Sequence, residues 1–370
     1  MELETLRSEI NEIDEKILEL FAQRMSVCRN VALYKLDKNL PVFQSGREDE
    51  IVTRIRENSP EGLENSTEVL FKNIMDISKC RQQQEIFKDA EISYKPFPPK
   101  APVKIGCQGT NGAYSHIAAD KLFGESEITF LSAFEDVFSA VENGEIDFGI
   151  LPIQNSTAGS VSLTYELMKK YNFFIAAGVS VKISHCLAVK RGTDFSKVTD
   201  VYSHEQALAQ CSEFLKKNNL KPVEYTNTAL AGELVSQSGE SIAAICSVDC
   251  ATRLDLEIIS DNVANASENY TRFICISKDI YISDDADIIS VSLALPHTTG
   301  ALYRLLTKFS VIGLNLLRIE SKPIASKDFD VVFYLDFAGS VKQPEVMQII
   351  SALKSELTYF KFLGNYKEVR

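Results

Sequence analysis

Leu3, Leu6, Ile10, Ile13, Ile17, Leu20, Val27, Val31 and Tyr34 follow one another at alternating steps of three and four, with one slot between Leu20 and Val27 filled by Arg24. That spacing predicts one long, continuous amphipathic helix. At 1.5 Å per residue it would run about 50 Å, too long for a compact monomeric domain of this size, so its apolar seam is expected to pack on a second copy of the chain. Ser45-x-x-Glu48 reads as a capping box opening a second helix, and Asn65-Ser66-Thr67-Glu68 as the cap of a third.

Four of the eleven prolines fall between Pro96 and Pro102, a stretch that holds neither a helix nor a central strand and reads as an extended linker. The predicted organisation is a helical region over 1–86, a linker over 87–102, a third region over 103–278 and a tail over 287–370. From Val103 short β-rich runs such as VKIGCQG, DFGILPI and RFICISK alternate with helical stretches, the pattern of an α/β domain, here long enough for two lobes with a cleft between them. The tail reads strand, helix, strand, strand, helix, strand, a ferredoxin-like βαββαβ order.

Charge limits the partners. With 39 Lys plus Arg against 51 Asp plus Glu, the net charge is -12, and such a surface repels nucleic acid and anionic membranes. No apolar run approaches the ~20 residues needed to cross a bilayer and no signal-like segment leads the chain, so a cytoplasmic location is expected. The eight cysteines include no C-x-x-C and are expected to be reduced thiols, with Cys246 and Cys250 sharing a helical face. The four histidines show no metal-ligand spacing, so neither a metal nor a cofactor is expected.

A guanidinium in an apolar seam costs several kcal/mol unless an anion meets it, so Arg24 marks either a buried salt bridge or a carboxylate-binding site within the bundle. Arg7 lies beside the same seam, about 25 Å along the axis, and joins Arg24 at one small ligand only if two antiparallel copies pair. Lys35 is about 16 Å beyond Arg24 at a similar azimuth. Ser78 and Gln82 are one turn apart on the third helix, and Arg47-Glu48 open the second, where Glu48 is equally explained as a capping residue. L-R-x-x-I-x-x-I-D, then Arg24, Lys35, Arg47-Glu48 and S-x-x-x-Q, resembles the all-helical chorismate mutases over residues 1–86. The resemblance implies rearrangement of chorismate to prephenate, which needs shape and charge but no nucleophile. Arg7 of a partner chain and Arg24 would grip the two carboxylates with help from Arg47. Lys35 and Gln82 would donate to the ether oxygen, and Glu48 and Ser78 would contact hydroxyl or carboxylate groups. Gln44 stands where an Asp is usual in that family.

In the third region, Gly106-Cys-Gln-Gly109-Thr-Asn-Gly112 matches no nucleotide-binding loop and reads as a tight turn presenting a helix N-terminus to a small anion. Leu151 to Ser160 is a strand end running into small hydroxyl and amide residues, able to cradle a carboxylate or simply to cap a helix. Ser203 begins a possible capping box with Gln206, and Gln210 returns to its helical face seven residues later. There is no G-x-S-x-G elbow for a serine hydrolase. On the last strand Thr271 and Phe273 point one way and Arg272 the other, and an arginine between apolar strand neighbours wants an anion. G-T-N-G-A-Y-S, L-P-I-Q-N-S-T-A-G-S, S-H-E-Q-A-L-A-Q-C and N-Y-T-R-F together resemble the prephenate dehydratases across 103–278. The resemblance implies two α/β lobes and conversion of prephenate to phenylpyruvate, water and carbon dioxide. Thr271 would be the donor to the leaving hydroxyl and Arg272 a carboxylate or structural partner. Asn155, Ser156, Ser203, Gln210 and Phe273 would line the cleft. Gln154 stands where a Glu is common.

The tail resembles an ACT domain, with Gly300, Ala301, Leu302, Glu320 and Ser321 matching its phenylalanine-site motifs. Tyr303 and Lys322 depart from the usual residues. The resemblance implies feedback inhibition by L-phenylalanine. As a whole the chain is similar to the bifunctional chorismate mutase/prephenate dehydratases, expected as homodimers or higher homo-oligomers. The alternatives are an arogenate dehydratase and a non-catalytic, amino-acid-responsive binding protein.

Overall fold

The alternating apolar spacing folds as a single helix, α1 (Leu3–Asp37), followed by α2 (Ser45–Glu57) and α3 (Glu64–Ile86). The structure is a computed structural model that describes residues 3–38, 40, 45–124, 126–266, 268–323 and 331–370. Gln44 lies outside the described residues, as does the Ser45 side chain on which the first capping box depends. The expected cap of α3 is not there. The helix opens at Glu64, with Leu63 at its N-cap, so Asn65–Glu68 lie inside the first turn. The Thr67 hydroxyl donates back to the Leu63 and Glu64 carbonyls, and the Glu68 carboxylate pairs with Arg56 and Lys72.

The chain continues through β1 (Lys95–Pro96), β2 (Ile105–Gln108), α4 (Tyr114–Phe123), β3 (Ile128–Leu131), α5 (Phe134–Asn143), β4 (Phe148–Asn155), β5 (Gly159–Ser160), α6 (Ser162–Lys170) and β6 (Phe174–Lys182). It then forms β7 (His185–Lys190), β8 (Asp200–Ser203), α7 (Glu205–Gln210), α8 (Ser212–Lys217), β9 (Lys221–Glu224), α9 (Thr228–Gln237), β10 (Ala243–Ser247), α10 (Val248–Arg253) and β11 (Leu256–Ser260). After β12 (Tyr270–Ser277) and β13 (Tyr281–Ile282) come β14 (Ile288–Ala294), α11 (Ala301–Ile312), β15 (Leu316–Pro323), β16 (Val331–Ala338), α12 (Pro344–Glu356), β17 (Phe360–Tyr366) and β18 (Glu368–Val369).

Three principal sheets result. One runs β18-β6-β12-β4-β2-β3 with β5 on β4, a second β11-β7-β10-β8-β9, and a third β15-β16-β14-β17. The last carries the βαββαβ order expected from sequence. In the first sheet β4, β6 and β12 are nearly continuous buried runs, because the strands are covered on both faces. Ile105, Phe148, Ile150, Val179 and Phe273 share its core, and Leu187, Val201 and Ile245 build that of the second sheet. Cys246 sits on β10 and Cys250 on α10, so the two do not share a helical face, because a strand in the second sheet ends between them.

Two compact units divide the chain: Met1–Ile92 with Ile289–Phe362, and Ser93–Ile288 with Leu363–Arg370. This grouping differs from regions laid out in series, for two physical reasons. Helix α3 packs on α11 and α12, where Cys80 and Gln83 face Lys308 and Ile349 and the Gln83 amide bonds the Glu356 carboxylate. The last residues leave the third sheet, and β18 pairs in parallel with β6 of the first. Among the described residues no helix is long and apolar enough to cross a membrane.

Candidate active sites

In the helical bundle the Arg24 guanidinium reaches the Ser78 hydroxyl and the Ile74 carbonyl, the latter at 3.3 Å. Among the described residues no carboxylate pairs with it, so the salt-bridge alternative finds no partner there. Glu48 accepts from Lys79 at 3.1 Å, and Lys79 is also held by the buried Asp76 at 2.8 Å. Burial alone would lower the Lys79 pKa, but Asp76 and Glu48 outweigh it and hold the ammonium above its ordinary value. Lys35 moves the other way: burial lowers it, opposed by Cys28 and Glu48. Ser78 and Gln82 are buried, and the Gln82 amide oxygen has no hydrogen-bond partner among the described residues. A buried, unpaired amide is costly unless a ligand completes it.

Two predicted residues stand apart from this cluster. Arg7 is exposed near the far end of α1, and Arg47 turns to Glu50 of its own helix at 3.0 Å. Lys79, one position after Ser78, carries no apolar-seam signal and was not anticipated. Lys35, Asp76 and Lys79 also border a cavity of about 740 Å³ whose other walls include Arg304 and Lys308 of α11 and Glu356 of α12.

The second site is a cavity of about 560 Å³ between the first two sheets, lined by Asn155, Gln210, Thr271 and Phe273 together with Tyr114 and His185. Asn155 organises it. Its Oδ1 accepts from the Thr157 and Ala158 N–H groups at 3.0 and 2.9 Å, so the N–H groups expected to cradle a carboxylate are turned to this side chain instead. With that orientation fixed, Asn155 Nδ2 donates to Asn269 Oδ1 at 2.8 Å and to Thr271 Oγ1 at 2.9 Å. Thr271 Oγ1 is therefore an acceptor, and its own hydrogen is left to point into the cavity. The same logic runs outward: Asn269 Nδ2 donates to Gln210 Oε1 at 3.2 Å, and His185 Nε2 meets that oxygen at 3.1 Å. The network thus assigns the proton of His185 to Nε2. Tyr114 closes the chain, its hydroxyl 2.8 Å from the Ser184 carbonyl and 3.2 Å from His185 Nδ1. Burial depresses the His185 pKa and favours the neutral ring, an effect partly offset by the Gln210 bond.

Three predicted site residues, two of them expected in the cleft, do not line this cavity. Ser203 ends β8 and donates to the Ile245 carbonyl at 2.6 Å, fully buried in its sheet, while the cap of α7 is His204. Ser156 accepts from the Tyr270 N–H at 2.9 Å. Arg272, on the opposite face of β12 from Thr271 and Phe273 as strand alternation requires, pairs with Glu368 at 2.7 Å. The glycine turn before α4 is closed rather than open to an anion: Gly112 N–H donates to His116 Nδ1, and a Cβ at Gly112 would lie 2.7 Å from the Cys250 Cα. Of the residues missed, Asn269 was findable two positions before Thr271, just ahead of β12, and His185 as a lone imidazole opening an apolar strand.

In the third sheet Gly300 caps α11 with φ 78°, ahead of Ala301 and Leu302, while Glu320 and Ser321 lie on the edge strand β15, separated from β14 by β16. Lys322 pairs with Glu320 at 2.9 Å.

The chain thus carries two separate polar sites, one in a helical bundle with cationic groups and one in a two-sheet cleft lined by neutral hydrogen-bonding groups. Known proteins give the class. The family model for chorismate mutase type II matches residues 6–83, and that for prephenate dehydratase matches 105–280. The bifunctional chorismate mutase/prephenate dehydratase of Aquifex aeolicus is 30% identical over 369 residues, covering 99% of this chain and 98% of its own length. Among solved structures, the prephenate dehydratase of Arthrobacter aurescens in complex with L-Phe aligns over 72% of this chain and 90% of its own, with TM-score 0.65 and 25% identity. GqqA, described as a novel type of quorum quenching acylase, aligns over 71% and 97% with TM-score 0.64 and 26% identity.

The chain belongs to the bifunctional chorismate mutase/prephenate dehydratases. It rearranges chorismate to prephenate and converts prephenate to phenylpyruvate in phenylalanine biosynthesis.

Proposed function

We propose that the two reactions use the two polar clusters just described. In the bundle, Arg24 and the Arg7 of a second copy hold the carboxylates of chorismate, with Arg47 assisting once it leaves Glu50. As the ether C–O bond breaks, charge grows on that oxygen, and Lys35 and Gln82 donate to it. Glu48 and Ser78 contact the hydroxyl and carboxylate groups. The carboxylate-free Arg24 supports this reading. The second copy is supported by α1 itself: its nine seam residues remain 37–64% exposed in one chain. Burying such side chains is worth about 1.5–3 kcal/mol each.

In the cleft, loss of carbon dioxide sends the electron pair of the breaking C–C bond into the ring while the ring hydroxyl leaves with a proton, giving phenylpyruvate and water. Thr271 directs its hydrogen at the departing oxygen, and Asn155, Gln210 and Phe273 shape the cavity. Arg272 takes the structural role in this reading, and Ser156 and Ser203 support the loop and sheet. The observation that carries it is the Asn155-to-Thr271 hydrogen bond, which leaves the threonine proton available. Thr271→Val should lower dehydratase kcat about a hundredfold or more. Near-normal turnover would remove the assignment.

The tail, read as an ACT domain over 287–370, binds L-phenylalanine between two copies at Gly300, Ala301, Leu302, Glu320 and Ser321. The separation of these two motifs by β16 within one copy favours a site completed by a second. We place the domains at 1–86 and 103–278 with the 87–102 linker between them, and the enzyme in the cytoplasm as a homodimer or higher homo-oligomer.

A further inference from the structure

The chain end is built into the dehydratase sheet. Arg272, 6% exposed, donates from Nε to Glu368 at 2.7 Å and from Nη2 to the Tyr366 hydroxyl at 2.7 Å. Ser180 of β6 donates to the other oxygen of the Glu368 carboxylate at 3.0 Å. Two glycines allow the close approach: a Cβ at Gly364 would lie 2.2 Å from the Ile175 carbonyl oxygen, and one at Gly178 would lie 3.2 Å from the Tyr366 ring.

The place of this anchor matters. Thr271 pairs with Asn155 and Arg272 with Gln154, but Phe273 pairs with Pro152, so the β4–β12 ladder slips by one residue just after Arg272. The extra residue, Ile153, is on β4, and Pro152 beside it offers no N–H, so β4 holds β12 less firmly where β12 aims side chains into the cavity. A buried ion pair fixes such a segment from its outer face.

We propose that the C-terminal strand is a positioning element of the dehydratase site: Glu368, acting through Arg272, holds β12 opposite the β4 bulge so that Thr271 and Phe273 face the cavity. This rests on the reading of Thr271 as the donor to the leaving hydroxyl. Glu368 touches no substrate, and its effect is one of geometry. Because β17 of the third sheet runs directly into this tail, the proposed effector domain is covalently continuous with Glu368.

The test compares Glu368→Gln, Glu368→Asp and Thr271→Val in the full-length protein, with prephenate turnover, mutase turnover and thermal melting measured on each. Glu368→Gln should lower dehydratase kcat about ten- to a hundredfold with KM changed less than about twofold, leave mutase turnover unchanged, and be partly rescued by Glu368→Asp. A folded Glu368→Gln protein with wild-type dehydratase kcat, whether or not its melting temperature falls, overturns the proposal. If that variant does not fold, Tyr366→Phe removes one Arg272 bond and should lower kcat a few-fold, while an unchanged kcat overturns the proposal. A Thr271→Val protein with normal turnover removes the premise, whereas an inactive Thr271→Val beside a normal Glu368→Gln removes only the role of the tail.

Discussion

A threonine hydroxyl is a poor acid in water, and in the proposed mechanism Thr271 becomes useful through what it accepts. The amide of Asn155 is pinned by two backbone N–H groups, so its NH₂ faces Thr271 and leaves the threonine proton for the cavity. Strand alternation made Thr271, Phe273 and the opposite sense of Arg272 legible from sequence. The far end of the network was less so, because Tyr114 and His185 reach the cavity from other elements and no spacing links them. His185 also carries a pH signature. Its folded pKa is depressed by burial below the ordinary 6.5, so on acidification through about 6.5 the unfolded chain takes a proton that the folded one refuses. The stability contributed by the neutral ring is complete above that range and is lost as pH falls through it. Urea unfolding between about pH 7.5 and pH 5.5 should show a shallower acid loss for His185→Gln than for wild type. Equal slopes would place the proton on another group.

At the scale of elements, α1 was the most legible feature, since its period leaves no other fold. The caps of later helices were not legible. Ser and Thr near a helix start signal a cap only when the chain places them outside the first turn, and at α3 Thr67 lies inside it and bonds backward. Ser203 misled in the same way, because β8 runs one residue further than the capping-box pattern implies. The exposed α1 seam carries its own prediction. If two antiparallel α1 helices share each mutase site, a mixed dimer of Arg7→Ala and Arg24→Ala chains has one site with both arginines lost and one with both intact. Mixing the two inactive variants under conditions of subunit exchange should therefore restore part of the mutase activity. Verified mixed dimers with no activity would rule out the shared site.

For the whole molecule, the apolar patterns of the regions, and the proline-rich stretch that interrupts them, were legible. Their grouping was not. Nothing in the local pattern says that α3 will cover α11 and α12, or that the last residues will cross to β6, since both depend on surfaces that only the folded chain brings together. The proposed effector site belongs to this scale, being completed between copies. L-phenylalanine should lower dehydratase turnover, and Glu320→Ala should raise the concentration needed about tenfold while leaving uninhibited turnover intact. An unchanged inhibition curve would move the effector elsewhere.

The account stands on two chemically separate sites within one polypeptide, and reciprocal inactivation tests it most directly. Arg24→Ala and Thr271→Val full-length proteins would each be assayed for chorismate loss and for phenylpyruvate formation from supplied prephenate. The account predicts that Arg24→Ala loses mutase activity about a hundredfold or more and keeps dehydratase turnover, and that Thr271→Val does the reverse. Either variant retaining the activity assigned to its residue, in folded protein, would contradict it.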